Sequence, residues 1–208
     1  MALIRALNHP ATPRLTEADA SDRLPLLTDA DPVQRRQALR ARVADRQSWP
    51  AMVARLPQEG DAHVRSVLVS CLVETQSDEA ARGFADCLAN EDVALRNLAV
   101  QALTEMPLPA LRVLPEVLGS TDADVRIFAT MVLGAIGGPR ACELLCFLLE
   151  HDGHVNVVDA AINGLAEIGS ADHLNALQTA RRRFPDDPYI GYAVKTASAA
   201  LRGAAQDR

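Results

Sequence analysis

The sequence predicts an all-α protein, built as a right-handed α-solenoid of about six helix pairs. Three observations lead to this prediction. Aromatic residues make up only 3% of the 208-residue chain, whereas sheet proteins are enriched in aromatic and β-branched residues. Alanine occurs 36 times, and its small side chain favours helices and lets them approach each other closely. Finally, one sequence phrase recurs along the chain at a nearly constant interval, which is typical of repeat architectures.

The recurring phrase begins with an acidic residue, followed three residues later by an aliphatic residue and then often by arginine. The clearest copy begins at Asp122 and continues through Val125, Arg126, Ala129 and Leu133. The copies begin at residues 31, 61, 92, 122, 154 and 187, so successive starts are 30 to 33 residues apart. Because one helix pair cannot bury its apolar faces alone, this regularity indicates units that stack into a quasi-one-dimensional array.

Each start predicts the beginning of a helix, which we call helix B. An aspartate is a good N-cap because its carboxylate accepts hydrogen bonds from unpaired backbone N–H groups, and apolar residues at helical spacing follow each start. A second helix, helix A, fits between successive copies. Its predicted beginnings are marked by Ser48, Ser77, Pro109, Gly137 and Gly169.

The phrase D-x-x-V-R-x-x-A-x-x-x-L-x-x-x-G resembles HEAT-like repeats, particularly the short type found in the phycobilisome bilin lyases. The resemblance covers roughly residues 16–202. We therefore divide the chain into an N-terminal lead-in at 1–15, a HEAT-like repeat domain at 16–202 and a flexible C-terminal tail at 203–208. The resemblance implies that helix A lines the convex side of the solenoid and helix B the concave side. It implies a fold and no particular chemistry, because repeat phrases encode stacking.

Composition narrows the classes of partner. The net charge of −6 argues against a general nucleic-acid binder, which needs cations to displace phosphate counterions. Since no apolar run reaches the roughly 18 residues of a membrane span, we expect no membrane association. The four cysteines lack the spacing of a disulfide framework. We expect a soluble protein of the cytoplasm.

An arginine column is the first candidate for a binding surface. Arg35, Arg65, Arg96 and Arg126 occupy equivalent positions in four copies. The favoured interpretation is structural, with each arginine packed between repeats and bonded to an acidic residue or a carbonyl group of its neighbour. The alternative is a ladder of cations for an anionic partner. The column ends at Val158, where we expect the stacking to change.

Other clusters have weaker chemical signatures. His151, Asp152 and His154 are suitable ligand types for zinc, but their spacing matches no known motif, so we interpret the stretch as a solvated turn. Cys142 and Cys146 lie four apart on one helix face and are interpreted as small buried apolar residues. The Arg181–Arg183 run is expected to complement a helix dipole, with phosphate binding as the alternative. We therefore predict no metal site and no cofactor.

The positions five and nine after each start are predicted to line the concave surface. An apolar patch on a solvated face marks a protein interface, and Ile127 and Met131 form such a patch. The alternative is that the register is off by one and these two residues are interior. The predicted partner-binding residues are Arg36, Arg40, Ser70, Asn97, Gln101, Ile127, Met131, Asn163 and Tyr192.

These features favour a non-catalytic protein–protein interaction scaffold or accessory protein that binds a protein or peptide in its concave groove. We see no nucleophile–base pair, phosphate loop or cofactor fingerprint, and we expect a chain that is monomeric alone or part of a hetero-complex. The resemblance leaves open a bilin lyase-like enzyme or subunit, in which Tyr192, Arg36 and Arg40 hold a tetrapyrrole. A nucleic-acid-binding helical-repeat protein is the second alternative, and the acidic net charge opposes it.

Overall fold

The computed structural model describes residues 27–206, and that part of the chain is all-helical. The lead-in at 1–15 and residues 16–26 of the predicted repeat domain lie outside the described residues. The helices are α1 (Pro32–Arg42), α2 (Trp49–Arg55), α3 (Ala62–Thr75), α4 (Asp78–Asp86), α5 (Val93–Thr104), α6 (Pro107–Val117), α7 (Ala123–Ile136), α8 (Gly138–His151), α9 (Val155–Ile168), α10 (Leu174–Arg183) and α11 (Pro188–Gln206).

The helices alternate as the repeat predicts, which confirms the α-solenoid. Odd-numbered helices are the B helices and even-numbered helices are the A helices. Every B helix begins directly after one of the six predicted starts. The starting aspartates cap their helices; for example, the Asp61 carboxylate accepts from the backbone N–H groups of His63 and Val64 at 2.9 Å each. His154, which replaces aspartate in the fifth copy, makes no side-chain cap hydrogen bond.

The structure defines three helix ends more closely than the sequence does. The Ser48 hydroxyl donates to Asp45 instead of capping α2, because a short 3-10 turn capped by Asp45 precedes that helix. Helix α6 begins at Pro107, two residues before Pro109. Helix α11 continues to Gln206, past the predicted end of the repeat domain at residue 202, because the alanines that follow Gly203 favour helix.

A continuous apolar layer lies between the A and B helices. Large side chains from successive helices are fully buried in it, including Leu72, Phe84, Leu103, Leu133 and Leu165. Burial of one such side chain stabilises the fold by about 1.5–3 kcal/mol. Because each B helix turns its apolar face towards this layer, its opposite face is open to solvent or a partner. None of the helices between residues 27 and 206 combines the length and apolar character needed to cross a bilayer.

The stacking changes at the junction between the fourth and fifth units. Helices α7 and α9 have the most extensive contact of any two helices among the described residues, whereas α6 and α8 touch only slightly. Two glycines permit this approach: a Cβ atom placed on Gly134 would lie 3.3 Å from the Cα atom of Gly164. At this junction the B helices lie close together while the A helices are separated, which is the local arrangement that a concave B face requires.

Candidate functional site

The arginine column is structural. The guanidinium groups of Arg65 and Arg126 donate to the carbonyl oxygens six residues earlier in the chain, at 2.7–2.9 Å, and each also pairs with an aspartate of the next unit. Arg96 makes the same carbonyl contact at 3.0 Å and lies over the Phe128 ring. Arg35 pairs with the buried Glu59. These guanidinium groups are engaged between repeats, so the column does not present a ladder of free cations.

In the last two units, where the column has no arginine, the equivalent carbonyl oxygens accept from arginines of α10. Arg183 on α10 donates to the Asp152 carbonyl oxygen at 2.7 Å. Asp152 lies six residues before Val158, so its carbonyl oxygen is the one that an arginine at position 158 would contact. Arg181 likewise donates to the Pro185 carbonyl oxygen at 2.6 Å, six residues before Gly191. The Arg181–Arg183 run therefore supplies both carbonyl contacts that the column lacks here, one between units from Arg183 and one within the last unit from Arg181. The dipole interpretation accounts for only part of its role.

Two carboxylates are held ionised by these contacts. Burial opposes ionisation of Glu59, but hydrogen bonds from Arg35, from the Asp61 backbone N–H and from Arg55 outweigh it and lower the pKa of Glu59. Burial also opposes ionisation of Asp152, yet Arg126 and the His154 backbone N–H lower its pKa. Both carboxylates thus strengthen the stack and leave no charge for a ligand.

The candidate metal stretch is divided among separate roles. His151 stacks on Phe147 with ring centroids 4.4 Å apart, and the Asp152 carboxylate pairs with Arg126. Across residues 27–206, no cluster of three or more His, Cys, Asp or Glu side chains is arranged to hold a metal ion. The cysteines are free thiols, and burial raises the pKa of both Cys87 and Cys146 to about 11.

A groove runs along the outward face of α9. One cavity of about 460 Å³ lies between α7 and α9, and a second of about 490 Å³ lies between α9 and α11. Asn156, Asp159 and Asn163 line both cavities, so the two form one surface, which we call the α9 groove. Its remaining lining residues are Ile127, Thr130, Met131, Gly134, Ala135, Ala160, Gly164 and Glu167 on the first side, and Val155, Ala166, Asp187, Tyr189, Ile190, Tyr192, Ala193, Thr196 and Ala197 on the second.

The structure brings four of the predicted binding residues into the α9 groove. These are Ile127, Met131, Asn163 and Tyr192. Met131 is 53% exposed and Tyr192 is 73% exposed. Ile127, in contrast, is half-buried and packs against the core, because the close approach of α7 and α9 partly covers it.

The other predicted residues lie elsewhere on the B helices. Ser70 and Gln101 line a smaller cleft of about 190 Å³ between α3 and α5. Asn97 is exposed on α5, outside the cavities described above. Arg36 and Arg40 lie on α1, at the other end of the array from Tyr192. The predicted column is therefore spread along the solenoid, and only its C-terminal half forms the α9 groove.

Prediction from positions five and nine missed part of the groove. Asn156 and Tyr189 both occupy the second position after a repeat start, and Tyr189 is 80% exposed. The sequence contained the information needed to find them. Residues three apart on a helix share a face, and Asn156 and Tyr189 precede Asp159 and Tyr192 by three positions. Glu167 was missed for the same reason, because it follows Asn163 by four residues.

Family comparison bears on the same region of the chain. A family model described as HEAT repeats matches residues 83–156 and 111–197, which together span more than half of the chain. The chain belongs to the HEAT repeat family. This membership confirms the resemblance indicated by the repeat phrase, and the matched HEAT segment contains the entire α9 groove. A search of curated proteins finds no match to the chain.

Solved structures give distant likenesses to this HEAT protein. An engineered protein of the Northeast Structural Genomics Consortium aligns with 89% of this chain and 97% of its own, at 19% identity and a TM-score of 0.42. A second engineered protein of that consortium covers 89% of this chain and 58% of its own, at 18% identity and 0.41. The complex of CpcE and CpcF of phycocyanin lyase from Nostoc sp. PCC7120 covers 96% and 100%, at 16% identity and 0.36. Likenesses at these TM-scores carry no functional argument.

Proposed function

We propose that this HEAT protein is a non-catalytic interaction scaffold that binds a protein or peptide in the α9 groove. The observation that carries the proposal is the exposure of Met131 and Tyr192 on opposite sides of one continuous groove. Exposed apolar side chains surrounded by polar residues mark protein interfaces, and methionine adapts its shape to a partner. Solenoids use their extended concave surfaces in this way.

The chemistry of the groove supports a binding role for a polypeptide. Its polar residues, Asn156, Asp159, Asn163 and Thr196, alternate with apolar walls, and this mixture suits both the backbone and the side chains of a peptide. Acidic groups at Asp159 and Glu167 oppose a phosphate backbone. The scaffold is proposed to act in the cytoplasm, as a monomer that enters a hetero-complex, and its four free thiols support a reducing compartment.

The test compares two substitutions at equally exposed apolar residues. Met131 lies in the α9 groove and Phe147 lies on the A helix α8, and each side chain is 53% exposed. Tagged wild-type protein, Met131→Asp and Phe147→Asp are used to capture partners from the native host. Each captured protein is then purified and titrated by calorimetry against the three chains, after thermal melting has shown that both variants fold.

The proposal expects one partner that binds the wild type and Phe147→Asp but binds Met131→Asp at least tenfold more weakly. Hydrogen exchange in the complex is expected to show protection on α7, α9 and α11. A partner lost with Phe147→Asp and retained with Met131→Asp contradicts the proposal, because it places the interface on the A side. Capture of nucleic acid or of a coloured tetrapyrrole, with no protein partner, also contradicts it.

A further inference from the structure

We infer that the segment bound in the α9 groove is extended and carries an arginine, which enters the cavity between α9 and α11, and an aliphatic residue, which enters the cavity between α7 and α9. This inference rests on the proposed function and adds the chemistry of the occupant. Its basis is charge complementarity at Asp159 together with the positions of two tyrosines and Met131.

Asp159 is a half-buried carboxylate that lines the α9 groove. Many other carboxylates of the array cap a helix, as at Asp61, or pair with an arginine, as at Asp152, and most of the rest are exposed. Asp159 does neither: none of the ion pairs found in the described part of the chain includes it. Its Oδ2 atom accepts only from Asn163 Nδ2, at 3.2 Å. A half-buried carboxylate in a groove without a cation is complementary to a cation on a partner.

The groups around Asp159 suit a guanidinium better than an ammonium. Asn163 donates to Asp159, which leaves the amide oxygen of Asn163 as a second acceptor beside the carboxylate. Tyr189 and Tyr192 line the same cavity and are largely exposed, so their rings are available to stack. Arginine presents five donors in a planar fork and stacks on aromatic faces, whereas lysine is a compact point charge. Lys195 is exposed on α11 but does not line this cavity.

The second cavity supplies the aliphatic anchor and sets a spacing. Its walls include Ile127, Met131 and Ala160 above the close contact of Gly134 with Gly164. Neighbouring packed helices lie roughly 9 Å apart, so the two cavities on either side of α9 are separated by about that distance. A peptide extended as a polyproline II helix rises about 3.1 Å per residue and returns its side chains to the same face every third residue. The arginine and the aliphatic residue are therefore about three positions apart.

A random 12-residue peptide display library, selected on the immobilised full-length chain, tests the inference. We expect the enriched peptides to share an arginine about three positions from an aliphatic residue. One enriched peptide is then synthesised with a fluorescent label in three forms, bearing arginine, lysine or citrulline. Anisotropy measures the binding of each form to the wild type, to Asp159→Asn and to Glu74→Gln, which loses the same charge at an exposed residue of α3.

Citrulline has nearly the shape of arginine without its charge, so it isolates the pairing with Asp159. The arginine form should bind wild type and Glu74→Gln alike, and Asp159→Asn roughly tenfold more weakly. Replacing arginine by citrulline should weaken binding to the wild type by a similar factor and hardly change binding to Asp159→Asn. The affinity of the lysine form should lie between those of the arginine and citrulline forms. Added salt should reduce the difference in affinity between the arginine and citrulline forms.

The outcomes separate this inference from the proposed function. If enriched peptides lose binding with Met131→Asp but lack arginine, or are indifferent to Asp159→Asn, the inference is overturned and the proposed function stands. If no peptide is enriched, or binding is unaffected by both Met131→Asp and Tyr192→Ala, both are overturned. A homodimer that disappears with Met131→Asp in sedimentation experiments would identify a second copy of the chain as the occupant and overturn the inference.

Discussion

Arg183 donates to the carbonyl oxygen of Asp152 at 2.7 Å. A second bond, at 2.7 Å, runs from the same guanidinium to the Leu149 carbonyl oxygen. These two acceptors lie at the C-terminal end of α8, where backbone carbonyl groups lack partners within the helix. The arginine comes from α10, so this contact ties the fifth unit to the sixth at the place where the arginine column is interrupted by Val158.

Replacement of Arg183 by glutamine is expected to weaken the junction between the last two units. Hydrogen bonds from a charged donor contribute about 1.5–3 kcal/mol, so we expect the free energy of unfolding to fall by about 2 kcal/mol. Urea unfolding followed by circular dichroism measures it. Arg182→Gln is the control, since Arg182 is exposed and bonds only to Thr179 within its own helix, and it should change stability by no more than about 0.5 kcal/mol. Equal losses in the two variants would refute the role of Arg183.

The buried ion pair at the first junction is expected to matter more than an exposed one. Glu59 is 1% exposed and accepts from Arg35 and Arg55, so Glu59→Ala leaves a buried guanidinium unpaired. Breaking such a pair costs about 3 kcal/mol. Glu143→Ala removes a surface partner of Arg140 and should cost no more than about 0.5 kcal/mol. Thermal and urea unfolding of both variants compare the losses, and a small loss at Glu59 would show that the pair stabilises nothing.

Acid is expected to destabilise the stack through the same carboxylates. The folded-state pKa values of Glu59 and Asp152 are lowered, so their contribution to stability is complete above the unfolded carboxyl pKa of about 4. It is lost as the pH falls through the folded values. The melting temperature of the wild type should therefore drop as the pH falls below about 4. The double variant Glu59→Gln/Asp152→Asn should start lower at pH 7 and show a shallower drop, and parallel curves for the two proteins would contradict this explanation.

Local sequence signals predicted most of this fold. The capping aspartates and the arginine column were predictable because each arginine contacts a carbonyl oxygen six residues earlier in its own turn. The contact that replaces the missing arginine at Val158 was not predictable. Arg183 reaches that turn from another helix, and no local pattern relates the two residues. Likewise, the exposure of Met131 followed from helical spacing, but the partial burial of Ile127 depends on the distance between α7 and α9. The sequence therefore predicted which helix faces line the α9 groove, but it could not predict how deep the groove is.

The thiols are expected to react slowly in the folded protein. Burial raises the pKa of Cys87 and Cys146 to about 11, so only a very small fraction is thiolate at pH 8, and the thiolate is the nucleophile. Labelling with a thiol reagent should be at least about a hundredfold slower in buffer than in urea. Mass spectrometry of timed samples reports each cysteine separately. Cys71, Cys87 and Cys142 are buried and Cys146 is half-buried, so rapid native labelling of the first three thiols would contradict their burial.

The glycine contact beneath the α9 groove is expected to set its depth. A Cβ atom at residue 134 would lie 3.3 Å from the Gly164 Cα atom, and backbone cannot move aside as a side chain can. Gly134→Ala should therefore push α7 from α9 and lower the free energy of unfolding by about 1 kcal/mol, since overpacking costs about 1–3 kcal/mol and helix propensity returns about 1 kcal/mol.

Gly203→Ala is the matched control for this last prediction. Gly203 is also helical, and no atom lies within 4 Å of the position that a Cβ atom would take there, so alanine should be neutral or stabilising, by at most about 1 kcal/mol. Urea unfolding compares the two variants, and crystallography of Gly134→Ala measures the separation of α7 and α9. If Gly134→Ala stabilises the chain as Gly203→Ala does, the two helices yield freely at this contact, and the close approach of the glycines does not determine the shape of the groove.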